Sequence, residues 1–324
     1  MIRLLAPDTF QQRAEFLADV RAFFRERDAL EVETPLLNAT GAVEPFLDSF
    51  VVKRPAESEQ DRKTSGPARR QAGYLITSPE YNLKILLAHL DRDLFQIAHT
   101  FRSGESGGMH TEEFLMLEWY RRGIDEFQLM DECDALLAWL AGRGFSRLAP
   151  PPPAERLSVA ELLDDHAGCD SRRAGLLDAV QRHGLATQDP ADWRYDELFF
   201  CVFLNLVEPK LAVDWPVFVY NYPPELAALS RVEDGVARRF EIYWHGVELA
   251  NGYFELTDPA EQRARFAREN DLRRSLNKEP MPIDEQFLEA ISGMPPASGI
   301  ALGLDRLFMV LRGETDFSAT SPFL

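Results

Sequence analysis

The sequence predicts one large α+β domain, or one such domain with an insert, and three observations carry that prediction. The chain has 324 residues, 45% of them hydrophobic, enough to bury a large core without requiring a second. Apolar residues recur at three- and four-residue intervals in some stretches and alternate with polar ones in others, so helical and strand periods are both present. Two pairs of β-like runs are joined by turns as hairpins. No internal repeat is visible.

From residue 8 to residue 27, Phe10, Ala14, Leu17, Val20 and Phe24 recur with helical spacing, and Asp8 or Thr9 is placed to cap that helix. The alternation over residues 30–37 predicts a strand, with Pro35 confined to an edge, an end or a special junction. Residues 53–71 are almost wholly polar or charged and read as a surface loop. Ser78 is the expected N-cap, and Pro79 the first residue, of a helix running through Leu83 to Leu87. Residues 94–102 and 113–121 read as strands joined by a long hairpin loop over 103–112. A helix is expected over 127–140, and the run from Pro150 to Pro153 marks a linker into a helical section, an insert extending to about Val207. β structure returns over 217–220, 240–244 and 247–256, with His245-Gly246 turning between the last two. A helix over 259–275, a glycine-spaced strand over 298–304 and a helix over 305–312 follow.

Lys and Arg total 35 against 53 Asp and Glu, a formal charge of −18. Phosphate backbones attract the opposite field, so extensive nucleic-acid binding is disfavoured, although one local basic groove is compatible with the total. No apolar run is long enough to cross a bilayer, and the start of the chain is too short and polar for a signal peptide, so a cytoplasmic protein is expected. Cys133, Cys169 and Cys201 are odd in number and widely spaced, and read as buried thiols rather than as a disulfide framework or a zinc site.

Three constellations carry chemistry-bearing residues. In the first, Arg102-Ser103-Gly104-Glu105 ends one strand, His110 and Thr111 follow in the loop, and Phe114, Met116, Glu118 and Tyr120 share one face of the next strand. A Glu and a Tyr hydroxyl beside Phe and Met suit a ligand cavity, with Arg102 arriving to meet a phosphate bidentately; a surface hairpin with an ion pair would read the same way. In the second, Glu241, Glu248, Asn251 and Glu255 are interleaved with large apolar residues. Uncompensated acids are unfavourable there, and Mg²⁺ bridging to ATP phosphates would offset the cost; the alternative is an exposed acidic edge strand. Strict alternation puts Glu248 and Glu255 on opposite faces, so Gly252 is expected to supply a bulge if both serve one site. In the third, a strand from Gly299 to Gly303 runs into a helix whose first turn carries Arg306, where the macrodipole disfavours a cation and an anionic ligand would explain one.

In this order the constellations resemble the three signature motifs of class II aminoacyl-tRNA synthetases, whose catalytic fold is a mostly antiparallel sheet flanked by helices. The helix and strand ending at Pro35 look like the first motif, Arg102 to Glu118 like the second, and Gly299 to Arg306 like the third. Glu248-Leu249-Ala250-Asn251-Gly252 through Asp258, and Ser78-Pro79-Glu80 before Leu83-Lys84, are similar to the lysyl branch. That branch also carries an N-terminal β-barrel that reads the anticodon. Here the first motif begins within about ten residues of Met1, so residues 1–324 are expected to form one catalytic domain without the barrel. Met116 to Arg121 and Glu248 to Gly252 look like the truncated lysyl-synthetase paralogues that attach (R)-β-lysine to a lysine of translation elongation factor P.

The resemblance implies ATP and Mg²⁺, elongation factor P and (R)-β-lysine or lysine as partners, and a homodimer built on the first motif. It implies that Arg102 holds the α-phosphate and Arg306 the γ-phosphate, and that Glu241 and Glu248 bind Mg²⁺. Ser103, Gly104, Glu105, His110, Thr111, Phe114, Leu249 and Gly303 would line ATP. Ser78, Pro79, Glu80, Glu118 and Asn251 would contact the amino acid, Glu80 at its backbone-type ammonium and Asn251 at its carboxylate, while Glu255 with Tyr120 would fix the distal ammonium. Ala301 stands where lysyl enzymes usually have glycine, and its methyl either narrows the pocket floor for a β-amino substrate or merely packs. Gly104, where many relatives have an acid, and Gly108 and Thr111-Glu112, where they have arginine and Asn-Pro, are departures at the adenine end. A minimal tRNA-lysylating enzyme shares every motif. A non-catalytic amino-acid or adenylate sensor has little reason to keep the phosphate and metal residues.

Overall fold

The computed structural model describes residues 5–54, 71–105 and 107–320. Its framework is a nine-stranded sheet in the order β1 (Leu30–Glu31), β5 (Leu94–Phe101), β6 (Glu113–Arg122), β12 (Ala297–Gly303), β11 (Val247–Phe254), β10 (Val236–Trp244), β8 (Val217–Tyr222) and β7 (Glu155–Ser158), with β9 (Val232–Glu233) paired to β10. The outermost pairs, β1 with β5 and β7 with β8, are parallel, and every other pairing is antiparallel. A second sheet of three short strands joins β2 (Leu37–Asn38), β4 (Gln71–Leu75) and β3 (Val51–Lys53).

The strand period of two sorts each central strand into a core face and a polar face. Leu115, Leu117 and Trp119 of β6, Ile300 and Leu302 of β12, and Phe240 and Ile242 of β10 enter one buried cluster. Three helices close that cluster: α1 (Pro7–Arg25), α3 (Glu126–Ala141) and α9 (Leu304–Leu311). Phe16, Val20, Phe23 and Phe24 of α1 have no exposed surface, and each such side chain stabilises by about 1.5–3 kcal/mol. Burial rather than capping therefore anchors α1, whose N-cap Ala6 makes no side-chain bond.

On the other face, Glu118 pairs with Ala301, Ala301 with Asn251 and Asn251 with Glu241, so four expected site residues form one row across the sheet. In the next row Tyr120 lies opposite Gly299, Gly299 opposite Tyr253 and Tyr253 opposite Arg239. Gly299 is required there: a Cβ would sit 2.2 Å from Tyr120 Cε1 and 2.7 Å from Glu255 Oε1. The Gly299→Ala variant is expected to lose about 1–3 kcal/mol through overpacking. Chemical denaturation checks this, and an unchanged midpoint and slope would refute the close approach.

Several local expectations are corrected. The first helix starts at Pro7, with neither Asp8 nor Thr9 as cap, because proline suits the first helical position, where no amide is needed. Residues 30–37 do not form one strand: Leu30–Glu31 and Leu37–Asn38 belong to different sheets, and Pro35 lies in the unpaired stretch between them. Helix α2 (Glu80–Leu90) begins one residue later than expected, with Pro79 at its N-cap, although Ser78 Oγ still accepts from the Glu80 amide at 3.4 Å. The stretch after the proline run opens with β7 before turning helical from Val159 to Leu211. Its helices gather a second apolar cluster with Val217, Val219 and Tyr222 of β8. Cys133 and Cys169 are buried as expected, whereas Cys201 is only partly covered. Most of the expected surface loop at 53–71 falls outside the described residues. No helix among the described residues is long and apolar enough to cross a membrane.

Candidate active site

A cavity of about 320 Å³ opens on the polar face of β6, β12 and β11, walled also by the start of α2 and by the segment that includes Ala42, Glu44 and Leu47. Of the residues expected to bind ATP, Arg102, Glu105, His110, Thr111, Phe114, Glu248, Leu249, Gly303 and Arg306 line it, as do Ser78, Glu80, Asn251 and Ala301 from the amino-acid set. A recess lined by Arg102, Gly104, Glu105, His110, Glu248 and Arg306 continues it.

The recess brings Arg102 and Arg306 together beside Glu105 and Glu248. The Arg102 guanidinium lies 5.1 Å from the centroid of the Phe114 ring and 3.9 Å from Glu105 Oε2, and its buried Nε has no hydrogen-bond partner among the described residues. Its backbone is fixed, because the Arg102 amide donates to Glu112 O (2.8 Å) and the Ser103 amide to Asp48 O (2.7 Å). Ser103 is thus a backbone support and does not line the cavity. Gly104, in the left-handed region at φ 82°, donates its amide to Glu112 Oε1 at 2.8 Å, so Glu112 closes the loop. Arg306 reaches from the first turn of α9 to Glu248 O (2.9 Å) and Met109 O (3.4 Å), and donates to His110 Nε2. Burial and the neighbouring Arg306 lower the His110 pKa. A guanidinium cannot accept a hydrogen bond, so His110 is neutral here with its proton on Nδ1.

Glu248 reaches this side of the sheet by a bulge, but not the one expected at Gly252. The register runs regularly through Gly252 and shifts where Ile242 pairs with Ala250 and Tyr243 with Glu248, leaving Leu249 as the extra residue. Leu249 turns into the core, and Glu248 lands on the face of Asn251. A Cβ on Gly252 would lie 2.6 Å from the Phe240 ring, so that glycine serves packing.

Glu241 does not line the cavity. Its Oε2 accepts from Tyr222 (2.5 Å) and Tyr243 (2.8 Å) and its Oε1 from Arg239 (2.5 Å), which fills three of the roughly four lone-pair sites of a carboxylate. The Glu248 carboxylate has no such partner among the described residues. Desolvation and the nearby Glu241 carboxylate raise the Glu248 pKa, although the residue keeps exposed surface at the rim. Among the described residues no group of three His, Cys, Asp or Glu is arranged to hold a metal ion.

Beneath the amino-acid end lies a buried ionic layer. Lys84, 1% exposed, places Nζ 2.5 Å from Glu80 Oε1 and 2.6 Å from Glu255 Oε2. Burial works against its charge, and Glu255 and Glu80 more than reverse that, so Lys84 titrates above its ordinary 10.5. Burial, offset in part by Lys84, holds Glu255 above the usual carboxylate range. Tyr120 Oη donates to Glu118 Oε1 at 2.6 Å, and burial followed by the Glu80 charge pushes Glu118 well above that range too. Glu118, Tyr120 and Glu255 are therefore brought together, but under the cavity floor rather than in its lining, and Pro79 likewise only starts the helix. Lys84, Glu44, Tyr81 and Tyr253 are not among the expected site residues. For Lys84 the signal was present, an acid and a lysine four apart on one helix face.

The family model described as tRNA synthetases class II (D, K and N) matches residues 4–323. A protein of Haemophilus influenzae (strain PittGG) named "Elongation factor P--(R)-beta-lysine ligase" is 40% identical over 306 residues, 92% of this chain and 89% of that protein. Proteins of the same name from Histophilus somni (strain 2336) and Hamiltonella defensa subsp. Acyrthosiphon pisum (strain 5AT) are 38% and 36% identical, each over 96% of this chain and 93% of their own length. Sheet topology, the arginine-lined recess and these matches agree, and the chain belongs to the class II tRNA synthetase family (D, K and N).

Proposed function

We propose that this protein is an ATP-dependent ligase that converts (R)-β-lysine, or lysine, to its aminoacyl-adenylate and transfers it to the ε-amine of a lysine on translation elongation factor P. The observation that carries the reading is the division of one cavity between a cationic recess, Arg102 and Arg306, and an acidic wall, Glu44 and Glu80. The name shared by relatives that align over nearly the whole chain supplies the acceptor and the isomer.

In the first step the substrate carboxylate attacks the α-phosphorus in line, the bond to the bridging oxygen breaks, and pyrophosphate leaves. Arg102 neutralises the charge that builds on the α-phosphate, and Arg306 holds the γ end. Asn251 lines the cavity and can offer its amide NH₂ to the substrate carboxylate. Glu248, whose carboxylate has no partner among the described residues, fits an oxygen ligand for Mg²⁺; Glu241, with three of its lone-pair sites filled, fits a supporting place beside it. Mg²⁺ supplies charge neutralisation between phosphate oxygens when bound. In the second step the deprotonated ε-amine of the acceptor attacks the carbonyl carbon, an amide forms, and AMP departs with the electrons of the broken acyl C–O bond. The reading includes a cytoplasmic protein and a symmetric dimer built on the first motif.

ATP–pyrophosphate exchange with L-α-lysine, (R)-β-lysine, ornithine and arginine, followed by mass analysis of elongation factor P and of tRNA from the same reaction, tests it. Exchange with a lysine isomer and a mass gain on the protein alone are expected. Charged tRNA would move the acceptor to tRNA, and no exchange with any amino acid would sink the enzymatic reading.

A further inference from the structure

The acidic wall of the cavity contains one carboxylate that the chemistry above leaves unassigned. Glu44 lines the cavity with Glu80, Tyr81 and Tyr253. The Glu80 carboxylate is already paired with Lys84 at 2.5 Å, and Lys84 also carries Glu255. The Glu44 side chain has no hydrogen bond or ion pair among the described residues. A walled carboxylate without a partner is costly unless a cation arrives to meet it.

Glu44 is also held in place from two sides. Arg273, 2% exposed, donates from Nη1 to Glu44 O (2.9 Å) and from Nε to Glu279 O (2.9 Å). Lys278 Nζ reaches Pro45 O (2.9 Å) and Asp48 Oδ2 (2.8 Å). At the far end of the same strap Asp48 O accepts from the Ser103 amide at 2.7 Å, next to Arg102. Residues 44–48 therefore tie the position of Glu44 to that of Arg102, the arginine assigned above to the reacting phosphate. Burial and Glu80 raise the Glu44 pKa while Arg102 opposes them, which places the carboxylate within electrostatic reach of both.

We propose that Glu44 is a specificity-determining residue: together with Glu80 it receives the substrate ammonium nearest the reacting carboxylate, and so selects amino acids that carry a cation there. This rests on the lysine-activating reading above. The near ammonium is chosen over the distal one because Glu44 lines the cavity together with Glu80 and with Arg102, the arginine of the reacting end.

The test compares two substrates that differ only at that group. (R)-β-lysine and ε-aminocaproate share the carboxylate, the chain and the distal ammonium, but ε-aminocaproate lacks the near one. In Glu44→Gln, kcat/KM for (R)-β-lysine in ATP–pyrophosphate exchange is expected to fall about 10- to 100-fold, while ε-aminocaproate and the KM for ATP change by less than about threefold. Equal losses for both substrates, or no loss for either, would overturn the assignment. If Glu44→Gln does not fold, Glu44→Asp with the same pair of substrates decides it, with a loss confined to (R)-β-lysine supporting the assignment. A parent enzyme that exchanges with no lysine isomer would instead remove the reading underneath, and the parent measurement keeps the two failures apart.

Discussion

Replacing Arg102 with alanine is expected to lower the rate of ATP–pyrophosphate exchange by about 10²- to 10³-fold, the usual consequence of deleting one preorganised donor from a developing oxyanion. The protein has little use for this guanidinium in holding itself together. Its ion pair to Glu105 is long at 3.9 Å, its buried Nε has no hydrogen-bond partner among the described residues, and its guanidinium lies 5.1 Å from the centroid of the Phe114 ring. Stability should therefore change by no more than about 0.5 kcal/mol, as at a position without a structural partner. Arg102→Lys keeps the charge but loses the planar fork, so it should recover only part of the rate. The measurement is exchange under saturating ATP and amino acid, alongside a thermal melt. Activity within about tenfold of the parent would show that Arg102 does not meet the reacting phosphate, because one such donor is worth more than that.

The sheet was legible because its chemistry repeats. β6, β10 and β11 announce themselves by their β character and β12 by its glycine-spaced apolar run, and the strand period put Phe114, Met116, Glu118 and Tyr120 on one face, where the structure also has them. Helix 259–275 was legible from its ends: Asp258 accepts from the Ala260 and Glu261 amides at 2.8 and 3.1 Å, and Pro259 occupies the first turn. The failures have equally physical causes. β7 has four residues and pairs with Val217–Tyr220, about sixty residues later, so no local pattern marks it. The bulge could be required by alternation but not located, since any residue between Glu248 and Glu255 restores the parity. Glu44 lies in an aperiodic strap whose place is set by Arg273 and Lys278, more than two hundred residues away in sequence. Depth was the other hidden quantity. Glu118, Tyr120 and Glu255 share the polar face with the cavity residues, yet they are 1%, 2% and 0% exposed, and nothing in strand spacing separates a cavity wall from the layer beneath it.

That layer gives the largest expected change in stability. Lys84→Met is expected to cost about 3–5 kcal/mol, because it leaves the buried Glu255 and the adjoining Glu80 without their cation. For a domain of this size the thermal midpoint should fall by on the order of 10 °C. In the parent, the raised pKa of Lys84 makes its contribution complete below the unfolded lysine value, about 10.4, and lost only as pH climbs through the folded one, so it is fully present at neutral pH. The variant should behave differently. Burial and Glu80 both raise Glu255, and without Lys84 nothing at the site opposes them. A carboxyl that holds its proton more tightly when folded binds more protons in the native state than in the unfolded one, so stability falls as pH rises from the ordinary carboxylate range toward the raised value. Because burial already holds Glu255 at about 8 in the parent, both proteins lose this stability together below that value, and the midpoint gap between parent and Lys84→Met should widen only as pH climbs past about 8. Adding Glu255→Gln to Lys84→Met removes the stranded acid and should recover part of the loss, with a flatter pH profile. A double variant no more stable than the single one would mean that Lys84 contributes by packing its methylenes and not by pairing its charge.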